Sequence, residues 1–307
     1  MTLAELIAQA ATRLTAAEQA GRLAFGHGTT NAQDEAAWLV LWKLGLPLDC
    51  DFDAEGAREV SATETGDALA LIDERIATRK PAAYLTHEAW LQGVSFYVDE
   101  RSIVPRSFIA ELIADADGQG TLDAWLGENT RHVLDLCTGN GSLAVLAALA
   151  WPEVQVDGAD ISADALAVAR INVERHGLHE RVRLWQSDGL AQVPGTYDLI
   201  LCNPPYVNQQ SMTALPAEYR AEPELALAGG ADGMDFIRRL LRDAPARMSA
   251  HAVLVLEIGN ERDNYEAAFP ELAAQTFWLD TSAGADQVLL LTREALDAAA
   301  PETNPPR

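Results

Sequence analysis

The sequence predicts an α/β protein, a mostly parallel sheet with helices on both faces, preceded by a small helical domain. Three observations carry this expectation. Strand-like and helix-like apolar patterns alternate from Arg131 onward, residues 1–86 show helical periodicity, and a hairpin-like stretch separates the two regions.

In the first region Leu3, Leu6, Ile7 and Ala10 share a helical face, Ala36 to Leu44 reads as an apolar helix, and Thr65 to Arg79 carries Leu69, Ile72 and Ile76. Gly26 to Asn31 and Pro47 to Asp53 supply loop residues between them. Glu88 to Asp99 places Trp90, Val94, Phe96 and Val98 around Gly93, the pattern of two short strands meeting at a turn. Then follow a strand (His132 to Leu136), a helix (Ser142 to Ala150), a strand (Gln155 to Ala159) and a helix (Ala163 to His176). Strands at Val182 to Gln186 and Tyr197 to Cys202, a long loop, a helix (Asp235 to Arg247) and a strand (Ala252 to Ile258) continue the series. Parallel neighbours need crossovers, which this order provides. Gln275 to Leu279 and Gln287 to Leu291 are joined by only TSAGAD, so the last strand is expected to be antiparallel. The expected divisions are 1–86 helical, 87–105 a hairpin linker, 106–297 the α/β domain, and 298–307 a disordered tail rich in Ala and Pro.

With 307 residues, 49% of them hydrophobic, the chain can bury a large core. No stretch approaches the roughly 18 apolar residues of a membrane span, and the acidic amphipathic start MTLAELIAQAATRL differs from a secretory signal. Cys50, Cys137 and Cys202 form neither a CxxC pair nor a disulfide framework, and the histidines lack metal-ligand spacing. A cytoplasmic protein without a membrane partner or a metal is expected. The formal charge of −24, from 46 acidic and 22 basic residues, repels a phosphate backbone and argues against direct DNA binding. The same field draws in a basic protein, although solubility alone accounts for it equally well.

The segment VLDLCTGNG, Val133 to Gly141, places a buried strand before a turn with Gly139 and Gly141 and then a helix start. Structural turns and dinucleotide sites share this pattern. Asp135 separates them: a carboxylate there repels a pyrophosphate but suits a methyl donor with a cationic amino-acid end. Asp160 ends the second strand, where it can accept both hydroxyls of a ribose, and Asp188 in QSDGL follows the third, where it can accept from an adenine amino group. Each acid alone reads equally well as a helix cap or a loop solubiliser. Acids after three successive strands fall where open α/β sheets bind ligands.

The fourth strand, YDLILCNPPY, ends in Asn203, Pro204, Pro205 and Tyr206. Two prolines fix two φ angles and remove two N–H donors, leaving a rigid acceptor. The Asn203 side-chain oxygen and the Pro204 carbonyl can each take one N–H of a planar NH₂ group, with the Tyr206 ring as a packing face. A bare NPP is otherwise a rigid exit turn from a strand.

Together DLCTGNG, Asp160, QSD and NPPY resemble the protein-glutamine methyltransferases, over almost the whole chain. The resemblance implies a seven-stranded, Rossmann-like class I methyltransferase domain that uses S-adenosyl-L-methionine. It implies that Asn203, Pro204, Pro205 and Tyr206 hold the substrate amide. The donor falls to Asp135, Leu136, Cys137, Thr138, Gly139, Gly141, Asp160, Ile161, Asp188 and Gly189, with Asn203 beside it. DNA adenine methyltransferases share NPPY but lack the N-terminal arrangement. Phe96 to Ile113, Gly26 to Val40 and Tyr219 to Arg238 are similar to the branch that modifies the third protein of the large ribosomal subunit. The release-factor branch differs after Pro105–Arg106, where this chain has Ser107 and Phe108, and often carries an aromatic at Gly189. The implied partner is that basic ribosomal protein, read by the N-terminal helices. Release factors, adenine in nucleic acid, and a silent cofactor-binding module are the alternatives. Arg106 reads as a linker arginine paired to a surface acid, or as a residue orienting substrate or cofactor.

Overall fold

The computed structural model describes residues 1–113 and 120–299. Helices Leu3–Gln19, Ala32–Lys43 and Ala62–Thr78 pack around Leu6, Ile7, Leu14, Leu39 and Ile72, all buried. Each starts where a side chain satisfies free N–H groups of the first turn. Thr2 and Glu5 exchange side-chain-to-backbone hydrogen bonds, Ser61 and Glu64 do the same, and Asn31 accepts from the Asp34 amide. The second and third helices therefore begin at Ala32 and Ala62, ahead of the Ala36 and Thr65 that apolar periodicity indicates, because a polar cap sets a helix start. A short helix, Phe52–Glu55, likewise begins inside the expected Pro47–Asp53 loop, where Asp51 accepts from the Ala54 amide.

The hairpin is present as β1 (Ala89–Leu91) and β2 (Val94–Phe96), antiparallel. Its two turn residues, Gln92 and Gly93, have φ of 48° and 72°, the left-handed pair that matches the twist of the strands. Asn172 clamps the end of the hairpin onto the sheet unit: its amide donates to the Tyr97 carbonyl and its oxygen accepts from the Tyr97 N–H.

Seven strands follow: β3 (His132–Leu136), β4 (Gln155–Asp160), β5 (Val182–Gln186), β6 (Tyr197–Cys202), β7 (Met248–Glu257), β8 (Phe277–Thr281) and β9 (Gly284–Thr292). Their order in the sheet is β5-β4-β3-β6-β7-β9-β8. All neighbours from β5 to β7 are parallel, and β9 runs antiparallel between β7 and β8. Alternation divides the side chains into two cores, with Val133, Leu199, Leu201 and Val255 on one face and Leu134, Leu136, Ile200 and Leu256 on the other.

Several boundaries differ from expectation: β7 starts at Met248, ahead of Ala252, β8 and β9 reach into the expected TSAGAD loop as far as Thr281 and Gly284, and two helix ends differ for identifiable reasons. The helix expected to reach Arg247 stops at Asp243 and continues as a 3₁₀ turn, Ala244–Arg247, because Pro245 has no N–H to extend the ladder. The helix Arg293–Ala299 takes in Ala298 and Ala299, which were assigned to the tail, since alanine propagates a helix readily. The rest of that tail, 300–307, lies outside the described residues.

The chain steps from β3 outward to β4 and β5, then returns to the other side of β3 for β6 and β7. The helix after β3, Ser142–Ala150, packs on one face and the helix Asp235–Asp243 after β6 on the other. A crevice opens where they diverge, at the carboxyl ends of β3 and β6. Between β6 and its helix the chain makes an excursion through the helix Gln209–Ala214 and two 3₁₀ turns, Ala217–Ala221 and Glu224–Ala226. Glu218 fastens it to the N-terminal helices by accepting from Arg79 Nε and Nη2, at 2.9 and 2.7 Å, and from the Ala24 amide.

Candidate active site

A cavity of about 470 Å³ occupies that crevice. The turn after β3 contributes Leu136, Cys137 and Gly139, the end of β4 contributes Asp160 and Ile161, β5 contributes Asp188 and Gly189, and β6 contributes Asn203 and Pro205. Residues separated by as much as the distance from Leu136 to Pro205 meet because parallel strands align their carboxyl ends. Asp160 braces the turn it faces: one carboxylate oxygen accepts from Gly139 N at 2.9 Å and the other from Ser162 N at 2.8 Å. Burial pushes its carboxyl above the usual range, with the two N–H groups opposing. Cys137 (φ 60°) and Gly139 (φ 54°) both take the left-handed conformation that folds the turn back over β3. Gly141, at φ 82°, lies behind: a Cβ there would stand 3.1 Å from Ala169 Cβ, so glycine lets the two helices approach. At the outer end Asp188 is exposed and accepts from Arg239 Nη1 at 3.0 Å.

Five of the residues expected at the site stand outside the cavity wall. Asp135, Thr138 and Gly141 support the turn, Pro204 is buried behind Asn203 and Pro205, and Tyr206 turns away. Asp135 sits on the opposite face of β3 from Leu136. One of its oxygens accepts from Thr138 Oγ1 at 2.5 Å and Ala144 N at 2.9 Å; the other has no partner among the described residues. Tyr206 offers no packing face to the cavity, because its hydroxyl donates to Glu257 Oε1 at 3.1 Å and its ring covers Gly259, where a Cβ would lie 2.5 Å from Cε2. Glu257, buried at the end of β7, also accepts from Ser107 Oγ and the Phe108 amide, so one carboxylate ties the turn after β6 to the segment just past the linker. The Arg106 partner is Glu222, and that acid is buried, not at the surface.

A family model described as Methyltransferase small domain matches residues 118–219. The ribosomal protein uL3 glutamine methyltransferase of Bordetella pertussis is 54% identical over 299 residues, 96% of this chain and 96% of its own length. That of Burkholderia pseudomallei is 50% identical, covering 97% of each. The chain belongs to the ribosomal protein uL3 glutamine methyltransferase family. Among solved structures, the hMettl16 catalytic domain, crystallised with a 3′UTR hairpin, superposes with a TM-score of 0.52 at 15% identity, over 76% of this chain and 81% of that one. That likeness shows the class I fold that the motifs predicted.

In this member of the family, the roof of the cavity was invisible to motif reading. It consists of Arg101 to Ile103 from the linker, Pro223, Leu225 and Ala226 from the excursion, and Phe236 and Arg239 from the helix after it. Phe236 faces Gly189, with Cε2 3.9 Å from where a Cβ of that glycine would be. An aromatic is thus restored to the end of β5 from another element. Its sequence signal, a lone Phe at a helix start, is indistinguishable from a core residue.

The burial of Asp135 has a measurable consequence. Burial, with no cationic partner among the described residues, pushes its carboxyl up to about 7 from 3.8, so ionisation destabilises the free protein increasingly as pH rises from about 4 through 7. Asp135→Asn keeps an acceptor for Thr138 and Ala144 and removes the charge. It is expected to raise Tm at pH 8 by at least about 2 °C, the shift that about 1 kcal/mol makes in a domain of this size, with little change at pH 4. A Tm that falls equally at both pH values contradicts this account.

Proposed function

We propose that this chain transfers the methyl group of S-adenosyl-L-methionine to the side-chain amide nitrogen of a glutamine in ribosomal protein uL3, in the cytoplasm. The observation that carries the reading is the turn at the end of β6, whose Asn203 and Pro205 line a cavity shared with Asp160 and Asp188 and whose prolines have no N–H. The family supports the same acceptor.

The cavity suits such a donor in size and chemistry: apolar walls with acids at the ends of β4 and β5. When bound, the donor supplies a sulfonium-activated methyl group. Asp160 then accepts from ribose hydroxyls, Asp188 from the adenine amino group, and Phe236 lies against the base. Asp135 acts from behind as a positioning residue, holding the turn through Thr138 and Ala144. Asn203 Oδ1, on the cavity wall, accepts one N–H of the substrate amide, and the second is assigned to the carbonyl of the adjoining, buried Pro204; together they fix the nitrogen and draw electron density onto it. Orientation and fixed dipoles carry the acceleration. As the N–CH₃ bond forms and the S–CH₃ bond breaks, leaving a neutral thioether, the nitrogen becomes cationic; that N-protonated amide is acidic enough to lose its proton to solvent without a strong base. The N-terminal helices, 1–86, joined through 87–105 to the catalytic unit 106–297, read the surface of a basic substrate, which the −24 charge attracts.

The test is to incubate the enzyme with labelled donor and, separately, ribosomal protein uL3, release factors and DNA. Label on a glutamine of uL3 is expected; label confined to release factor or DNA overturns the reading. Phe236→Ala is expected to weaken donor binding about tenfold, as loss of one base-stacking face does. Calorimetry with an unchanged Kd would remove Phe236 from the site.

A further inference from the structure

The turn that holds the substrate nitrogen creates a requirement of its own. Its prolines have no N–H, so it offers acceptors to the NH₂ half of a glutamine amide and leaves the carbonyl half without a donor. Even where Asn203 Nδ2 takes one of the two lone pairs of that oxygen, the other stays unpaired, and an acceptor that loses water without gaining a donor is costly.

The arginines and the other serines around the cavity each have a hydrogen-bond partner. Arg101 is held by Asp99 through Nε and Nη2, and Ser187 Oγ donates to the Gly189 carbonyl. Ser162 caps the helix Ala163–Arg175 beside Asp160, and Arg239 pairs with Asp188 at the opposite end. Ser102 differs. It lines the same cavity as Asn203, is 2% exposed, and its hydroxyl has no hydrogen-bond partner among the described residues. Its backbone is fixed at both ends: the amide donates to the Asp99 carbonyl at 3.1 Å, and its carbonyl accepts from the Tyr84 hydroxyl at 2.6 Å. A rigidly held, buried hydroxyl with nothing to bind is a group kept for a ligand.

We infer that Ser102 donates to the carbonyl oxygen of the substrate glutamine and so selects an amide in the acceptor position. The assignment rests on the glutamine acceptor proposed above. The hydroxyl completes a clamp in which Asn203 and Pro204 receive both N–H groups while Ser102 supplies the proton that the carbonyl needs.

Ser102→Ala separates this role from a structural one, because the two predict opposite signs. Deleting a buried hydroxyl that lacks a partner leaves Tm unchanged or raises it, whereas kcat/KM for ribosomal protein uL3 is expected to fall about ten- to a hundredfold, with the donor Kd from calorimetry unchanged. Ser102→Cys, similar in volume and a weak donor, is expected to behave alike. Undiminished kcat/KM in both variants overturns the inference. So does a parallel loss of donor affinity, which would give Ser102 to the donor, or a fall in Tm that accounts for the lost activity. Wild-type enzyme that leaves uL3 unlabelled overturns the acceptor reading itself, and the Ser102 assignment with it.

Discussion

Asn203→Ala is expected to lower kcat by about 10²- to 10³-fold while donor affinity stays within about twofold, as loss of one preorganised polar contact at a reacting centre does. The size follows from the rigidity of the turn. Pro204 and Pro205 fix the backbone, and Tyr206, packed over Gly259 and bonded to Glu257, prevents the next residue from shifting to compensate. The Asn203 side chain can therefore be replaced neither by a neighbour nor by a small movement of the chain. Single-turnover transfer to ribosomal protein uL3 together with calorimetric donor titration separates the two quantities. An equal loss in both places Asn203 on the donor.

Arg106→Ala is expected to cost about 3–5 kcal/mol of stability, the range for stranding one member of a buried ion pair. Glu222, with its side chain fully buried, receives both terminal nitrogens of Arg106 and the Val104 amide, and His27 stands 3.4 Å away. Burial by itself would raise the Glu222 pKa. The charge of Arg106, assisted by His27, outweighs burial and brings it down to about 2 from 4.5. A folded-state value below the unfolded one means that this stabilisation is present above pH 4.5 and is lost as pH falls toward 2. The wild type and the variant should therefore differ most in Tm above pH 5, draw together as the stranded carboxyl of the variant becomes neutral, and converge only near pH 2, where Glu222 of the wild type is protonated too. A constant difference across that range would show that Arg106 acts by packing alone. The pair also matters to the site, since Glu222 adjoins Pro223 and Leu225 in the cavity roof.

Both residues illustrate how unevenly the molecule was legible. β3, β5 and β6 have the bounds read from the sequence, because a parallel strand, buried as in β3 and β6 or at the edge as in β5, ends where turn residues begin. Asp160, Asp188 and Asn203 could be placed on one rim for the same reason: position at the end of a parallel strand determines position on the sheet edge. Helix starts were less legible, since Asn31 and Ser61 act through a single side-chain bond that leaves no periodic trace. Asp135 shows a further limit. Its neighbours in sequence line the cavity, but alternation along the strand turns its carboxylate to the other face.

The order of apolar runs thus determined, from sequence alone, an α/β fold with ligand-binding residues at its strand ends, and the resemblance of the motifs at those ends implied a methyltransferase. Such signals are local: a few consecutive residues contain the period, the turn and the cap. The tertiary structure decided that Arg106 closes on Glu222, that Phe236 faces Gly189, and that Ser102 lines the same chamber as Asn203 with its hydroxyl unpaired among the described residues. Those outcomes depend on which groups lose water together when distant segments meet. Arg106 and Glu222 lie 116 positions apart, and only the closed chain gives each its partner.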